Sequence, residues 1–542
     1  MITVFEAKRI ITMDPSLPEA THIAVKDGKV LAVGPLEELQ DLGPITVDKQ
    51  FADSYLYPGF VEGHSHALEG AMWNYLYLGY YPRHDPHGKL WSGNQNLEQI
   101  QNKLQEYERQ LPPGEPLIAW GFDPVYFEGE RLDKTVIDAV VPDRPVVVFH
   151  ANLHLMTINS QMLAKTSLSQ NADIEGVMLG QDGKPNGELR EMAAMFAVFE
   201  ALGRSIFEEA ASTLTLENYA KAAQRTGITT ITDLYNPLSD KGVEAMKSVT
   251  NSDDYPVRLV PAMGALDWQN HQGIERVLSC QKDNNDKLKF GLVKVMTDGS
   301  IQGFSARMLW PGYHNGHENG IWNAPPETLR QIVLDYHQAG LQLHIHTNGD
   351  EAVELMLDAI EEAQTLWYRP DHRHTLQHCQ FISQAQMRRA AKLGVCLNMF
   401  VNHIYYWGDI HRDKTLGYSR SRRMQPLASA LALNVPVAMH CDAPVTPLGP
   451  LFSMWCSMAR QTASGKSFGE HEALNIQQAL YAMTLGAAYT LHLDHKVGSL
   501  EVGKYADMVV LDHDLYELDV DELPDLEVRA TVLGGKVYAN AS

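Results

Sequence analysis

The sequence predicts an α/β protein built on a (β/α)8 TIM barrel, with a small β-sandwich formed by both termini and a large insertion after the first barrel strand. Three observations support this fold class. Eight apolar runs alternate with amphipathic stretches, both ends of the chain are rich in short strands, and one long segment interrupts the alternation. A length of 542 residues accommodates a large barrel with such additions.

Eight short apolar runs have the length and composition of buried strands, and candidate helices such as 326–339 and 352–366 lie between them. The runs are the approach to His66 and residues 228–234, 257–262, 288–296, 341–346, 374–379, 395–399 and 435–440. Eight strands that alternate with helices are typical of a closed parallel barrel.

The domain organisation is predicted from the strand-rich ends of the chain and from the long segment that interrupts the strand–helix alternation. Residues 1–57 and 495–542 each contain a hairpin signal, Asp27-Gly28 and Gly534-Gly535, and are predicted to be the two halves of the β-sandwich. The barrel is expected over 58–494, with an insertion at about 71–215 that is far too long for an ordinary barrel connection. This insertion is expected to be a lid or a substrate-shaping domain, with a purely structural appendage as the alternative.

Composition excludes several classes of function. A net charge of −23 argues against nucleic acid or an anionic membrane as the main partner, with solubility alone as the alternative meaning of the charge. Five scattered cysteines, with no Cys-x-x-Cys pair, indicate neither a disulfide framework nor a cysteine-type zinc site. No apolar run approaches the roughly 18 residues of a membrane helix, and the charged start does not resemble a signal peptide. A cytoplasmic protein is therefore expected, with neither nucleic acid nor a membrane as its partner.

Metal-ligand residue types recur where the predicted strands end. Side chains two apart on a strand face the same side, so the two histidines of His64-Ser65-His66 can form half of a metal site. A barrel gathers its chemistry at the carboxyl ends of its strands. The predicted ligands of a divalent ion are His64, His66, Lys294, His346, His378 and Asp442.

Each of these residue types has a chemical role. Neutral imidazoles bind a borderline-soft divalent ion and leave a position for water, whose pKa the ion lowers to about 7, giving a hydroxide nucleophile. Asp442 is then suited to act as general base and later as general acid. The ammonium of Lys294 cannot bind a cation, but carbon dioxide converts an amine to an anionic carbamate. The alternative is a lysine that reaches solvent or pairs with Asp298.

Several motifs make a family resemblance specific. They are Pro58-Gly59-Phe60 before the histidine pair, and residues 293–300, 346–350, 377–380, 440–444 and 498–507. On these residues the chain resembles the metal-dependent amidohydrolase superfamily and, within it, the YtcJ-like branch (amidohydrolase family 3). The resemblance extends over nearly the whole chain, including the insertion.

The resemblance implies hydrolysis of a non-peptide C–N bond, in an amide, an N-formyl amine or an N-acyl amine, at a centre of one or two metal ions. His64 and His66 would bind the more buried ion, a carboxylated Lys294 would bridge, and His346 and His378 would bind the second ion. Asp442 would complete the buried site and transfer the proton. Zinc is the family's usual ion, and a homodimer is the family-based expectation.

The chain also departs from the family pattern. His440 and Cys441 precede Asp442, where the family commonly has Gly-Ser, so His440 either approaches the site or packs in the core. Glu351 stands where an arginine is common. Three residues are expected to contact substrate, with loop hydrogen bonding as the alternative for the last two: His154, Asn402 and His403.

Two other functions remain open from the sequence. An aromatic-ring deaminase of the same superfamily is one, although deaminases generally lack the bridging lysine that Lys294 would supply. A non-catalytic metal-binding or regulatory barrel is the other, although the complete ligand set argues against it. The substrate and the number of ions are not determined by the sequence.

Overall fold

The computed structural model describes residues 1–127, 129, 131–169, 176–203 and 206–540. The chain forms two compact units. The first comprises Met1–His66, Ala223–Asp442 and Leu448–Ser542, and the second comprises Ala67–Ala222 and Ala443–Pro447.

The first unit contains the predicted barrel. Eight strands pair in parallel in sequence order, each one beside the next. The barrel strands, numbered one to eight, are Phe60–Glu62, Ile228–Asn236, Arg258–Gly264, Leu292–Met296, Gln342–Thr347, Thr375–His378, Cys396–Met399 and Val437–Met439. All eight predicted runs therefore form barrel strands, and the predicted fold class is confirmed.

Helices in this unit follow the barrel strands along the chain, as the amphipathic stretches predicted. Each buries one apolar face, for example Leu329, Ile332, Val333 and Tyr336 of the helix Pro326–Gln338. The longer helices are Asp240–Thr250, Asn270–Cys280, Pro326–Gln338, Asp350–Leu366, Gln384–Leu393, His403–Ile410, Pro450–Ala459 and Ile476–Met483. Shorter ones are Leu36–Leu39, Tyr418–Ser421, Leu427–Ala432 and Leu485–Thr490, and His411–Thr415 is a π-helical turn.

Both chain ends contribute to one eight-stranded sheet in the first unit. Its strands are Lys536–Ala539, Val528–Leu533, Met508–Leu511, Tyr55–Pro58, Ile2–Ile11, Glu19–Lys26 and Lys29–Gly34 in spatial order, with Ile45–Asp48 also beside Ile2–Ile11. The hairpin predicted at Asp27-Gly28 is present, with φ of 52° and 77° at these residues. Positive φ at both central positions is what a tight hairpin turn requires.

A buried ion pair joins the start of the third barrel strand to this terminal sheet. Arg258 Nε lies 2.6 Å from Asp507 Oδ2, and its Nη2 lies 2.9 Å from Oδ1. The guanidinium also lies over the ring of Tyr505, 3.7 Å from its centroid. Two parallel hydrogen bonds fix the orientation of both side chains, so the pair holds the sheet formed by the chain ends against the barrel.

The second unit contains a sheet of six strands. In spatial order these are Val177–Leu179, Pro185–Arg190, Leu155–Ile158, Val146–His150, Leu117–Phe122 and Leu76–Tyr77, and a separate pair is Arg83–His84 with Leu90–Trp91. Its helices are Leu68–Met72, Leu97–Glu108, Lys134–Asp138, Ser160–Leu163, Glu191–Leu202 and Ile206–Glu209, and Thr213–Arg225 runs on into the first unit.

Arg83 connects two segments of the second unit that are far apart in sequence. It is buried and pairs with the buried carboxylate of Glu69 at 2.5 Å. The same guanidinium donates to the carbonyl oxygens of Pro444 at 2.7 Å and Thr446 at 3.3 Å. The segment Ala443–Pro447 is thereby attached to the insertion that follows the first barrel strand.

None of the helices among the described residues is long and apolar enough to cross a membrane.

We expect Arg258→Met to lower the free energy of unfolding by about 3–5 kcal/mol, because the substitution leaves the carboxylate of Asp507 buried without its partner. Urea denaturation of the full chain measures the change. Arg529→Met is the matched control, since Arg529 pairs with Asp512 at 3.3 Å where both side chains are half exposed. Its expected cost is about 0–1 kcal/mol, and equal costs for the two variants would contradict the role assigned to Arg258.

Candidate metal centre

The site lies where the first and last barrel strands approach each other. Glu62, the last residue of strand one, is fully buried, which raises its pKa to about 8, and its carboxyl oxygen accepts the backbone N–H groups of His64 at 3.2 Å and Cys441 at 3.1 Å. The N–H of Asp442 donates to the carbonyl oxygen of His64 at 3.0 Å. These bonds bring the residues that follow strand one beside those that follow strand eight.

His64, His66 and Asp442 form the first group of candidate ligands. The Oδ1 atom of Asp442 lies 3.4 Å from His64 Nε2 and 3.2 Å from His66 Nε2. One ligand atom from each of the three residues lies within 4.8 Å of the other two. The structure therefore brings together residues that are more than 370 positions apart in the chain.

Lys294 lies in the same place. Its side chain is 1% exposed, and its Nζ atom lies 3.2 Å from His64 Nε2. Burial lowers the pKa of Lys294 to about 7, although the nearby carboxylate of Asp442 opposes this. Lys294 is thus buried beside the other candidate ligands rather than exposed. Asp298 has other contacts, since its carboxylate accepts the backbone N–H groups of Asn348, Gly349 and Arg307.

His378 and His440 complete the arrangement. The rings of His64 and His378 have centroids 4.5 Å apart, and His378 Nδ1 lies 3.8 Å from Asp442 Oδ2. His440 stacks on His64 with a centroid distance of 4.6 Å. His64, His378 and His440 form a second group whose ligand atoms lie within 4.8 Å of one another. The sequence left His440 either near the site or packed in the core, and the structure places it in the site.

His346 lies at the edge of this arrangement. Its ring centroid is 4.6 Å from that of His378. Its Nε2 atom lies 3.2 Å from the carbonyl oxygen of Gly299 and 3.1 Å from Asn348 Nδ2. His346 is therefore next to one candidate ligand but outside the two groups of converging ligand atoms among the described residues.

Gln377 orients His64 and was not singled out from the sequence. Its Oε1 atom lies 2.7 Å from His64 Nδ1, and its Nε2 atom lies 2.7 Å from His344 Nδ1. Because an amide oxygen only accepts, His64 carries its proton on Nδ1 and turns the lone pair of Nε2 towards Lys294 and Asp442. Gln377 and His378 both reach the site because His378 has a φ of 68° and breaks the strand alternation.

The charges of the site are set by burial. Burial, together with neighbouring positive charge, holds the pKa of His64 and His378 well below the usual value, so both imidazoles are neutral. Burial alone would raise the pKa of Asp442, but the hydrogen bond with His66 and the interactions with His66, His440 and Lys294 together outweigh it, so the pKa of Asp442 is lowered. The centre therefore offers neutral nitrogen donors and an ionised carboxylate at neutral pH.

The backbone is strained at this rim. His378, Cys379 and Asp442 have φ values of 68°, 44° and 56° in the left-handed region. Such conformations cost about 1–3 kcal/mol each and concentrate at functional sites, where the surrounding structure enforces them. Here the hydrogen bond from Asp442 N–H to the His64 carbonyl is part of that enforcement.

The three predicted substrate contacts have different surroundings. His403 is buried, with Nε2 2.8 Å from Gln380 Nε2 and Nδ1 3.2 Å from His411 Nε2. Asn402 is buried and accepts the hydroxyl of Ser453 at 2.8 Å. His154 is half-buried in the second unit. Contact of these residues with substrate stays a prediction.

Glu351, the unusual residue after Gly349-Asp350, has a structural partner. Its carboxylate forms two hydrogen bonds of 3.0 Å with Arg307 and accepts Asn319 Nδ2 at 2.9 Å. The pair fixes the long loop after strand four against the start of the helix Asp350–Leu366.

The residues present fit a divalent metal ion. Imidazole and carboxylate ligands converge with one ligand atom each, and this mixture suits zinc and related ions. The candidate ligands other than His66, whose side chain is 22% exposed, are buried, so the site is shaped to hold a charge out of bulk water.

Comparison with known proteins identifies the family. The model described as "Amidohydrolase family" matches residues 52–539, most of the chain. The chain belongs to the amidohydrolase family.

Individual relatives support this family assignment. YtcJ of Bacillus subtilis (strain 168) is 25% identical over 100% of both chains. The N-substituted formamide deformylase of Arthrobacter pascens is 23% identical, over 97% of this chain and 96% of its own. The predicted resemblance to the YtcJ-like branch and the prediction of a hydrolase of non-peptide C–N bonds are confirmed.

A solved structure shows the same fold. An uncharacterized metal-dependent hydrolase from Pyrococcus horikoshii OT3 superposes with a TM-score of 0.73 and 18% identity, covering 96% of this amidohydrolase and 99% of that chain.

We expect Gln377→Leu to lower the affinity for the divalent ion by about 10–100-fold, because His64 loses the hydrogen bond that sets its tautomer and orientation. Competition with a chromophoric chelator measures the affinity. Gln342→Leu is the control: Gln342 is also a buried glutamine, but it donates to the carbonyl oxygens of Arg373 and Thr490 at the start of its strand. Unchanged affinity in Gln377→Leu would show that Gln377 does not orient a ligand.

Proposed function

We propose that this amidohydrolase hydrolyses the C–N bond of a small-molecule N-formyl or N-acyl amine at a divalent metal centre, with zinc as the ion. The observation that carries the proposal is the convergence of His64, His66, Lys294, His378 and Asp442 at one rim of the barrel. The similarity to an N-substituted formamide deformylase over nearly the full length of both chains supports this substrate class.

The ion would be held by the histidines and by Asp442. When bound, it supplies Lewis acidity, which lowers the pKa of water at the centre and polarises the carbonyl group of the substrate. The neutral imidazoles provide lone pairs without competing protons, because burial keeps the pKa of His64 and His378 low.

Asp442 is the proton carrier in this proposal. Its pKa is lowered, so the carboxylate is ionised and can accept a proton from the attacking water. The same proton then passes to the nitrogen of the leaving amine, because breaking an amide bond requires a protonated leaving group. The His66 contact at 3.2 Å holds the carboxylate in place for both transfers.

Lys294 would carry a carbamate formed from carbon dioxide. The uncharged amine attacks the carbon of CO2 and releases one proton, which leaves an anionic carboxylate on the nitrogen. Burial favours the uncharged amine, and the 3.2 Å distance to His64 Nε2 places the group among the candidate ligands. The resulting anion would let the centre hold a second ion.

We expect Asp442→Asn to lower turnover of N-formyl and N-acyl amines by about 10²–10⁴-fold, because an amide cannot relay the proton. Turnover of a substrate panel by the metal-loaded protein, with elemental analysis of each preparation, measures this. Asp413→Asn, at an exposed position, is the control and should match the wild type. Wild-type turnover in a metal-loaded Asp442→Asn would exclude the proton-transfer role.

We expect Lys294→Met to reduce the metal content from two ions per chain to one in protein reconstituted with bicarbonate, because the bridging anion is lost. Elemental analysis measures the content. Lys289→Met is a matched control, since burial also lowers the pKa of Lys289 to about 7, but its Nζ donates to the carbonyl oxygens of Leu491 and His492. The same metal content in Lys294→Met and the wild type would rule out the carbamate.

A further inference from the structure

We propose that His440 is a direct ligand of the metal centre and adds a further imidazole to those of His64, His66 and His378. The inference rests on the metal centre of the proposed function and goes beyond it, because it assigns an additional ligand to that centre.

The position of His440 is fixed by packing. The residue is fully buried, and its ring stacks on two others. His64 lies at a centroid distance of 4.6 Å and an interplanar angle of 23°, and Phe400 lies at 5.1 Å and 27°. A buried ring that stacks on two neighbours cannot turn away from the site without disturbing both.

One of the two ring nitrogens of His440 has no hydrogen-bond partner among the described residues. Its Nε2 atom lies 3.1 Å from His378 Nδ1, so these two nitrogens share at most one proton. Its Nδ1 atom is buried and has no hydrogen-bond partner among the residues that the structure describes. A buried polar atom without a partner is costly, so His440 requires a partner that the described polypeptide does not supply.

A divalent cation shared by His64, His378 and His440 is what the surrounding groups favour. His64, His378 and His440 each offer one nitrogen, and these three atoms lie within 4.8 Å of one another. His64 Nδ1 is already bonded to Gln377, so His64 offers Nε2, the same atom that faces Asp442 at 3.4 Å. The two groups of ligand atoms share His64 and therefore belong to one centre.

The charge balance agrees with this role. Three neutral imidazoles contribute no charge, so the anions that offset a divalent ion among them are the nearby carboxylate of Asp442 and, in the proposed function, the carbamate on Lys294. A nitrogen-rich set of this kind suits zinc, cobalt, nickel or copper, and is poorly matched to magnesium or calcium, which prefer oxygen ligands.

The test compares the wild type with His440→Asn after removal of metal and reconstitution with Co(II), whose absorption spectrum responds to the ligands bound directly to it. We expect the Co(II) spectrum of His440→Asn to differ from that of the wild type. We also expect its affinity for Co(II) to fall by more than the roughly 100-fold that loss of an outer hydrogen-bond partner causes.

His374→Asn is the matched control. His374 is also fully buried, but it hydrogen-bonds to His337 at 2.8 Å and accepts the backbone N–H of Leu343 at 3.1 Å, at the start of strand six. It should keep the wild-type Co(II) spectrum. Thermal unfolding of the metal-free proteins shows whether each variant is folded.

An unchanged Co(II) spectrum in folded His440→Asn overturns the inference, whatever the affinity, and makes His440 an outer partner of His378. In that case the proposed function is unaffected, provided that the wild type binds Co(II). If the wild type itself binds no Co(II), the metal centre of the proposed function fails and this inference fails with it.

Discussion

Closure of the barrel between its first and last strands is the constraint on which the site depends. Glu62 supplies a buried carboxyl group that accepts backbone N–H groups from both His64 and Cys441, and Asp442 N–H donates to the His64 carbonyl. These bonds position backbone atoms directly, so the side chains of His64 and Asp442 must meet. A parallel barrel has its strand ends on one rim, and this closure determines which of those ends become neighbours.

Burial gives the site its chemistry. Neutral imidazoles, a lysine whose pKa is about 7 and an ionised aspartate coexist within a few ångströms. Two of these states would be different in water, where the lysine would be charged and the histidines would be partly protonated. The aspartate is ionised here although burial opposes it. The same desolvation makes it energetically costly to bury a polar nitrogen without a hydrogen bond. Nδ1 of His440 is such a nitrogen among the described residues.

Support for the candidate ligands comes from residues outside the two groups of converging ligand atoms. Gln377 sets the tautomer of His64 and also donates to His344, which lies two residues before His346 on strand five. Asp298 accepts two backbone N–H groups at the start of the helix Asp350–Leu366, where a negative charge is favourable. Arg307 and Glu351 fix the loop after strand four. These contacts form a rigid frame for the ligand side chains at the rim.

The sequence by itself determined the fold class, the eight barrel strands, the sheet formed by both ends and the family, because hydrophobic periodicity and short motifs are local properties. It also selected His64, His66, Lys294, His378 and Asp442, since a barrel topology places strand ends together. Only the tertiary structure decided the roles of Gln377, Glu62 and His440. The left-handed conformation of His378 overrides strand alternation, and the stacking of His440 on His64 joins residues 376 positions apart. Such contacts between distant segments leave no local pattern from which they could be predicted.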